Sequence, residues 1–381
     1  MTENTSSSNP PPAAAPVRSR RRTFAVMAML LVPAVIVALL LVGEVVLRGV
    51  IHFKYGAPGK SYGLYEPDPE LGATHRRSAY NSNTLLNNWG LRNREDFPQT
   101  KPTDATRIYC SGGSTTFCYN LDTDNAWPTL LQNKLRKEPG HTKDEVMNAG
   151  QICFSLSHEL TLGRRLIPLL KPDIVVIFAG VNEGQSAEVF ERKAPGTLDR
   201  LLREQRWGEP TKDLAQTGFW IRHSAMFRLW HYYIRSLFEK KATEEYRVPV
   251  LKERPANHPT QHPYVMANLD KTLRAYLKFI REQGATPVIL RFGDNGDDNW
   301  YLTFGVREWR ERVVEIGREE GAVICDAAAF FEKHPRRKDC FIASGVHVTA
   351  LGADLLAEEL RKTILSLRPA PPKEDRSPDK K

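Results

Sequence analysis

The sequence predicts an α/β protein with three layers (α/β/α), a parallel sheet of about five strands, and one transmembrane helix in front of it. Two observations predict this class. From Arg107 onward, short apolar stretches alternate with amphipathic stretches of helical period, which is typical of parallel strands joined by helical crossovers. Near the N-terminus, Thr23 to Gly43 form an uncharged apolar run.

The predicted strands and helices alternate along the main domain. The first strand is Ile108–Cys110, and the helix Ala126–Lys137 follows it. The other predicted elements are, in order, the strand Val146–Asn148, the helix Leu156–Leu170, the strand Ile174–Phe178, the helix Tyr264–Gln283, the strand Pro287–Phe292, the helix Trp300–Glu320, the strand Ala322–Cys325 and the helix Leu351–Leu367. We therefore expect a sheet that helices cover on both faces.

The apolar run Thr23 to Gly43 predicts a single membrane-spanning helix. At a rise of about 1.5 Å per residue, it can cross a hydrocarbon core of about 30 Å. A cleaved signal peptide is the alternative, but its apolar core would be shorter, and no clear A-x-A site precedes Glu44. Four arginines within residues 18–22 flank the run, so the positive-inside rule predicts a cytoplasmic N-terminus and an extracytoplasmic domain, in the periplasm or at the cell surface.

Composition divides the rest of the chain. The predicted regions are a disordered cytoplasmic tail (1–22), the transmembrane helix (23–43), an irregular connector that packs on the domain and has room for short strands (44–105), the main domain (106–367) and a second disordered tail (368–381). An insertion, residues 184–262, interrupts the alternation and is rich in aromatic side chains. These aromatics either pack against the domain, or form a lid over a substrate groove or a surface that rests on the membrane.

The net charge of +9 comes in large part from the two ends of the chain. No basic helix interleaved with aromatics is present, so we expect no nucleic-acid partner. The five cysteines have no Cys-x-x-Cys spacing, which favours small buried hydrophobes. Disulfides between Cys118 and Cys153 or between Cys325 and Cys340 remain the alternatives in an exported domain.

Ser114 is the candidate nucleophile. It lies in Cys110-Ser-Gly-Gly-Ser114-Thr-Thr, where an apolar strand runs into two glycines and then a helix-like segment. Glycines tolerate a tight turn, and a helix N-terminus offers amide donors and positive partial charge to a developing oxyanion. Alone, the motif is equally typical of an ordinary Gly-Ser loop.

Three further segments place functional groups at element boundaries. Gly150 ends the predicted strand Val146–Asn148, Asn182 follows the strand Ile174–Phe178, and His347 precedes the last helix. The carboxyl ends of parallel strands form the ligand-binding edge of such sheets. Taken singly, Gly150 is explained by a turn, Asn182 by a loop cap and His347 by a surface position, so the interpretation depends on the ordered set.

Serine, glycine, asparagine and histidine in this order resemble the SGNH (GDSL-like) hydrolase family, in its membrane-anchored branch, over roughly residues 66–367 outside the insertion. The resemblance implies the flavodoxin-like SGNH fold and a serine nucleophile at Ser114. It also implies an oxyanion hole from the amides of Ser114 and Gly150 with the Asn182 side chain, and a base at His347. The segments Glu66-Pro-Asp-Pro-Glu-Leu-Gly and Asn87-Asn-Trp-Gly90-Leu-Arg92 are similar to the lead-in of anchored members.

One departure from the family bears on catalysis. Ser344 stands where the family has the aspartate that fixes the histidine tautomer, and a hydroxyl can orient the ring but carries no charge. Asp339, Asp326 and Glu183 are candidate substitute acids. We expect a serine esterase or acyltransferase acting on an O-acyl ester of a glycan or lipid, without cofactor or metal. The alternative is a catalytically inactive domain that binds a glycan or partner protein.

Overall fold

The computed structural model describes residues 17–55, 64–81, 83–183, 224–227, 230, 263–296, 306–342 and 345–367 of the chain. The first helix, α1, runs over Val17–Tyr55. It contains the stretch Phe24–Val50, which is long and apolar enough to cross a membrane, and the described residues bury none of its apolar window. α1 begins within the predicted disordered tail, because arginine is a good helix former and extending an existing helix is far easier than nucleating one.

The predicted connector contains short regular elements. Its first residues, 44–55, continue α1, and two short antiparallel strands follow farther on, β1 (Tyr65–Asp68) and β2 (Gly72–His75). Farther along, the Arg92 amide donates to the carbonyl of Asn148, and the Asn93 side chain bonds both Val146 O and Asn148 N. The connector thus covers the outer edge of a sheet strand that would otherwise be open to pairing.

The main sheet has five parallel strands in the order β4-β3-β5-β6-β7. They are β3 (Arg107–Gly112), β4 (Glu145–Asn148), β5 (Ile174–Phe178), β6 (Thr286–Arg291) and β7 (Val323–Asp326). The predicted parallel sheet of about five strands is therefore confirmed. β3 lies between β4 and β5. Its carboxyl end, and the serine turn that follows it, therefore have a neighbouring strand on each side.

The main α-helices of the described domain are α2 (Ser114–Phe117), α3 (Trp127–Leu135), α4 (Leu156–Leu170), α5 (Pro263–Glu282), α6 (Val306–Glu319), α7 (Ala327–Lys333) and α8 (Ala350–Leu367). α4, α5 and α6 bury one face of the sheet, through side chains such as Tyr109 and Val175. α3, α7 and α8 bury the other, through Ile108 and Val176. Successive strand residues point to opposite faces, so both faces are apolar and the three-layer prediction is confirmed.

The insertion contributes five described residues, 224–227 and 230. The Glu44 carboxylate of α1 accepts hydrogen bonds from Ser224 Oγ at 2.9 Å and from the Ala225 amide at 2.7 Å. Phe227 and Trp230 pack against each other nearby, with ring centroids 5.5 Å apart. The insertion therefore contacts α1 at the end of its uncharged run, and the other residues of the predicted insertion lie outside the described part.

All five thiols are free. Four are buried and Cys153 is partly buried, which fits the interpretation as small core residues and is contrary to both alternative disulfides. Burial raises the pKa of the Cys118 thiol to about 11, so that residue is a neutral thiol at physiological pH.

Candidate active site

The turn between β3 and α2 presents Ser114 at the sheet edge. β3 ends at Gly112, and Ser114 is the first residue of α2. A β-carbon on Gly112 would come within 2.0 Å of Thr116 Oγ1, and one on Gly113 within 2.2 Å of Asn182 Nδ2. Glycines are required here because neighbouring groups approach the backbone closely.

Ser114 and His347 are in direct contact although they are 233 residues apart. Ser114 Oγ lies 2.8 Å from His347 Nε2, and both side chains are partly buried, so substrate can still reach them. When Nε2 is unprotonated, the hydroxyl donates this hydrogen bond. A serine hydroxyl that donates to an imidazole nitrogen is the arrangement of an activated nucleophile and its base.

His347 is held in its neutral form. Burial lowers the pKa of its imidazole to about 4, because the charged form loses hydration. The Tyr119 ring lies edge-on to it, with centroids 4.6 Å apart and planes at 89°. The histidine is therefore a base at neutral pH.

Asn182 lies next to the serine turn, against Gly113. Its Nδ2 donates to the carbonyl of Phe154 at 2.7 Å. A side-chain amide has two N–H donors, so this bond fixes the group while leaving a second N–H for a ligand. The adjacent Glu183 accepts from the Leu156 amide at 2.9 Å, which ties the same loop to the start of α4.

Gly150 also packs on the serine turn, where a β-carbon would come within 2.3 Å of the Phe117 nitrogen. Its amide donates to Asn148 Oδ1 at 3.1 Å. Of the three predicted oxyanion donors, this amide thus already has a protein acceptor. All four residues nevertheless come together around α2.

The candidate acids lie elsewhere. Asp339 pairs with Arg336 at 3.0 Å and Asp326 with Arg291 at 2.9 Å, while the Glu183 carboxylate accepts from the α4 amide. None of these three described carboxylates bonds His347. Ser344, the candidate orienting residue, lies outside the described residues.

Three residues that the sequence did not indicate also contribute to the site. Tyr119 and Asn120 both contact the His347 segment, and Arg92 bonds the loop that carries them. The signal for the first two was their position: shortly after the one-turn helix, the chain returns to the same sheet edge. Arg92 ends the Asn87–Arg92 motif, but the motif alone assigns it no role.

Within the described ranges, no group of three or more His, Cys, Asp or Glu side chains is arranged to hold a metal ion.

The sequence of residues 110–355, more than half of the chain, matches the family described as GDSL-like Lipase/Acylhydrolase. The chain belongs to this family. The contact between Ser114 and His347 therefore lies in a GDSL-like hydrolase domain, which is the family that the resemblance indicated. No curated protein sequence matches the chain.

Solved structures of low sequence identity are similar to this GDSL-like chain. A lipase/acylhydrolase from Enterococcus faecalis is 14% identical, with a TM-score of 0.43 over 71% of this chain and 99% of the other. An acetylxylan esterase from Geobacillus stearothermophilus is 14% identical, with a TM-score of 0.42 over 68% and 94%. A psychrotrophic esterase from Pseudoalteromonas is 13% identical, with a TM-score of 0.39 over 69% and 98%. These scores are low, so the family assignment depends on the sequence match.

Proposed function

We propose that this protein is a membrane-anchored, extracytoplasmic serine esterase or O-acyltransferase acting on an O-acyl ester of a glycan or lipid. The observation that carries the proposal is the 2.8 Å contact between Ser114 Oγ and His347 Nε2 in a GDSL-like domain. A partly buried, neutral imidazole next to a serine hydroxyl can carry out the first step of acyl transfer, which is deprotonation of the nucleophile.

In the proposed reaction, Ser114 Oγ attacks the ester carbonyl while its proton passes to His347 Nε2. The carbonyl oxygen becomes an oxyanion that the Ser114 amide and the second N–H of Asn182 would stabilise, at about 3 kcal/mol for each donor. Collapse breaks the ester C–O bond, and the histidine returns its proton to the departing alcohol. Water then releases the acyl group from Ser114, or a second hydroxyl accepts it.

The Gly150 amide can stabilise the oxyanion only if it gives up its present acceptor, Asn148 Oδ1, and donates to the substrate oxygen instead. It now donates to Asn148 Oδ1, so the developing oxyanion would have to compete with that amide oxygen. A charged acceptor forms the stronger hydrogen bond, which favours the exchange in the transition state rather than before it.

Location supports the substrate class. The stretch Phe24–Val50 fits a single-pass anchor, and the arginines before it favour an N-terminus in the cytoplasm. A domain exported beside that membrane meets the acyl esters of lipids and of surface glycans.

Hydrolysis of aryl acetate esters tests the catalytic proposal. Ser114→Ala and His347→Ala should each reduce kcat/KM by at least about 10³-fold, because residues that act as a unit lose nearly all rate together. Circular dichroism of both variants controls for folding. Wild-type hydrolysis no faster than that of Ser114→Ala would contradict the enzyme proposal.

An inactive domain that binds a glycan or partner protein is the second candidate. The observations in its favour are Ser344 in place of the family aspartate and the engagement of Asp339, Asp326 and Glu183 elsewhere. This candidate predicts no serine-dependent hydrolysis, so the same assay decides between the two.

A further inference from the structure

The loop after α2, Cys118 to Leu121, contacts the histidine segment in two places. The Tyr119 ring meets the His347 ring edge-on at 4.6 Å. Asn120 Nδ2 donates to the carbonyl of Val348 at 2.9 Å. The first contact restrains the imidazole itself, and the second restrains the backbone next to it.

The same loop is bonded to the nucleophile. The Ser114 carbonyl accepts hydrogen bonds from the Cys118 amide at 2.8 Å and from the Tyr119 amide at 3.4 Å. Cys118 has a φ of 59°, in the left-handed region, and this residue turns the chain back toward the histidine. One short loop therefore holds both members of the Ser114–His347 pair.

Arg92 holds this loop in place through hydrogen bonds to its carbonyls. Its guanidinium is fully buried and donates to the carbonyls of Phe117, Cys118 and Leu121, the Cys118 bond being 2.7 Å long. It also lies over the Phe117 ring, 4.5 Å from the centroid. Carbonyl oxygens and the aromatic ring therefore stabilise this buried guanidinium.

We propose that the loop Cys118–Leu121 positions His347 against Ser114 through Tyr119 and Asn120, and that Arg92 holds this loop in place. The inference rests on the proposed function, since positioning matters only if His347 is the base. Ser344 stands in this chain where the family has the aspartate that orients the imidazole. Contacts from the loop after Ser114 would therefore help to orient the His347 ring. Tyr119, Asn120 and Arg92 are positioning residues, because they act through His347 and Ser114.

The rate at which a fluorophosphonate probe labels Ser114 tests this inference without knowledge of the natural substrate. Tyr119→Leu removes the ring and should slow labelling about 10-fold, while Tyr119→Phe keeps the ring and should stay within about 2-fold of the wild type. Tyr264→Leu, at another exposed tyrosine, is the matched control and should label at the wild-type rate.

A pH profile separates positioning from mere structural support. Tyr119→Leu exposes the imidazole to water, so the acid midpoint of labelling should move up from about 4 toward the ordinary histidine value of about 6.5. Among the described residues, the titratable group that meets the ring is the Tyr119 phenol. The carboxylates of Asp339 and Asp326 pair with arginines. A variant that merely folds less well would show fewer labelled molecules with an unchanged midpoint.

Asn120→Ala and Arg92→Lys test the other two residues. Asn120→Ala should lower kcat for an aryl acetate about 10-fold with KM unchanged, since the bond to Val348 O does not touch substrate. Arg92→Lys retains the charge and some of the carbonyl bonds, so it should retain more activity than Arg92→Met. Arg92→Met removes the guanidinium hydrogen bonds to three carbonyls and is at risk of not folding, so the Tyr119 and Asn120 variants decide whether the positioning role holds.

Two outcomes distinguish the inference from the proposed function. If the wild type is not labelled at Ser114, the proposed function fails and the positioning role fails with it. If the wild type is labelled, and Tyr119→Leu and Asn120→Ala react at its rate and with its midpoint, only the positioning role is overturned.

Discussion

At the scale of single residues, the low pKa of His347 determines how activity depends on pH. The imidazole acts as a base only when neutral, and burial lowers its pKa to about 4. Activity should therefore be retained on acidification through pH 6 and be lost around pH 4. We expect the acid limb of the kcat/KM profile for an aryl acetate to have its midpoint near 4. A midpoint near 6.5 would mean that the histidine is solvated in the working enzyme.

Gly113 offers a direct test of the Asn182 amide. An added β-carbon at this glycine would lie 2.2 Å from Asn182 Nδ2 and 3.1 Å from the Phe154 carbonyl oxygen. The nearest atom belongs to a side chain, which gives way more easily than backbone, so Gly113→Ala should displace the oxyanion donor and also lower the melting temperature. We expect kcat of the folded protein, measured well below its melting temperature, to fall about 10²–10³-fold. Equal losses in activity and in folded protein would instead indicate a structural glycine.

At the scale of elements, a buried polar contact joins β3, α4 and α5 behind the site. Tyr276 OH donates to Ser111 Oγ at 3.1 Å, and Ser111 Oγ donates to Glu159 Oε2 at 3.0 Å. Burial, and then the nearby Glu183, raise the pKa of the Glu159 carboxyl well above its usual range. A carboxyl whose pKa is raised by folding is stabilising below its unfolded value of about 4.5, and that stability is lost as pH rises.

Glu159→Gln should therefore stabilise the domain at pH 8 and be nearly neutral at pH 4. Glutamine keeps an acceptor for Ser111 and never ionises. Thermal melts at the two pH values measure the difference, at about 2–4 °C for each kcal/mol in a domain of this size. Glu282→Gln, at an exposed carboxylate on α5, is the control and should show no such dependence on pH. Destabilisation of Glu159→Gln at pH 8 would show that the ionised carboxylate is favoured in the fold.

Most elements of the main domain were predictable from the sequence because each strand of the five-stranded sheet contains an apolar run and the long helices between them are amphipathic. β5 and α4 have their predicted bounds, whereas β3 begins one residue earlier and ends two later, since Arg107 is buried in an ion pair with Glu145. α7 was not predicted. It directly follows β7, with the Asp326 carboxylate accepting a hydrogen bond from the Ala329 amide, and its three successive alanines give little periodic signal.

Ser114, Asn182 and His347 were predictable from the sequence because they lie at the boundaries of predicted elements. Tyr119, Asn120 and Arg92 were not, because their roles come from contacts between distant segments.

At the scale of the whole molecule, we predict that the domain lies outside the cytoplasm. Protease added to intact spheroplasts should digest the catalytic domain. A tag at the N-terminus should not be digested, because it lies in the cytoplasm. A cytoplasmic marker protein that stays intact controls for leakage. Protection of the domain would reverse the proposed topology.

The contact between α1 and the insertion also belongs to this scale. Glu44 ends the uncharged run and accepts hydrogen bonds from Ser224 and Ala225, so the insertion meets α1 at the level where the membrane should end. The sequence indicated an aromatic insertion but not its contact, because 180 residues separate Glu44 from Ser224.

The proposed pairing of a serine nucleophile with a histidine base is tested by the intact mass of the full chain after treatment with a fluorophosphonate, followed by peptide mapping. We predict one adduct per chain, on Ser114, which is absent in Ser114→Ala and strongly slowed in His347→Ala. No adduct on the folded wild type, or an adduct on another serine that persists in Ser114→Ala, would contradict this chemistry.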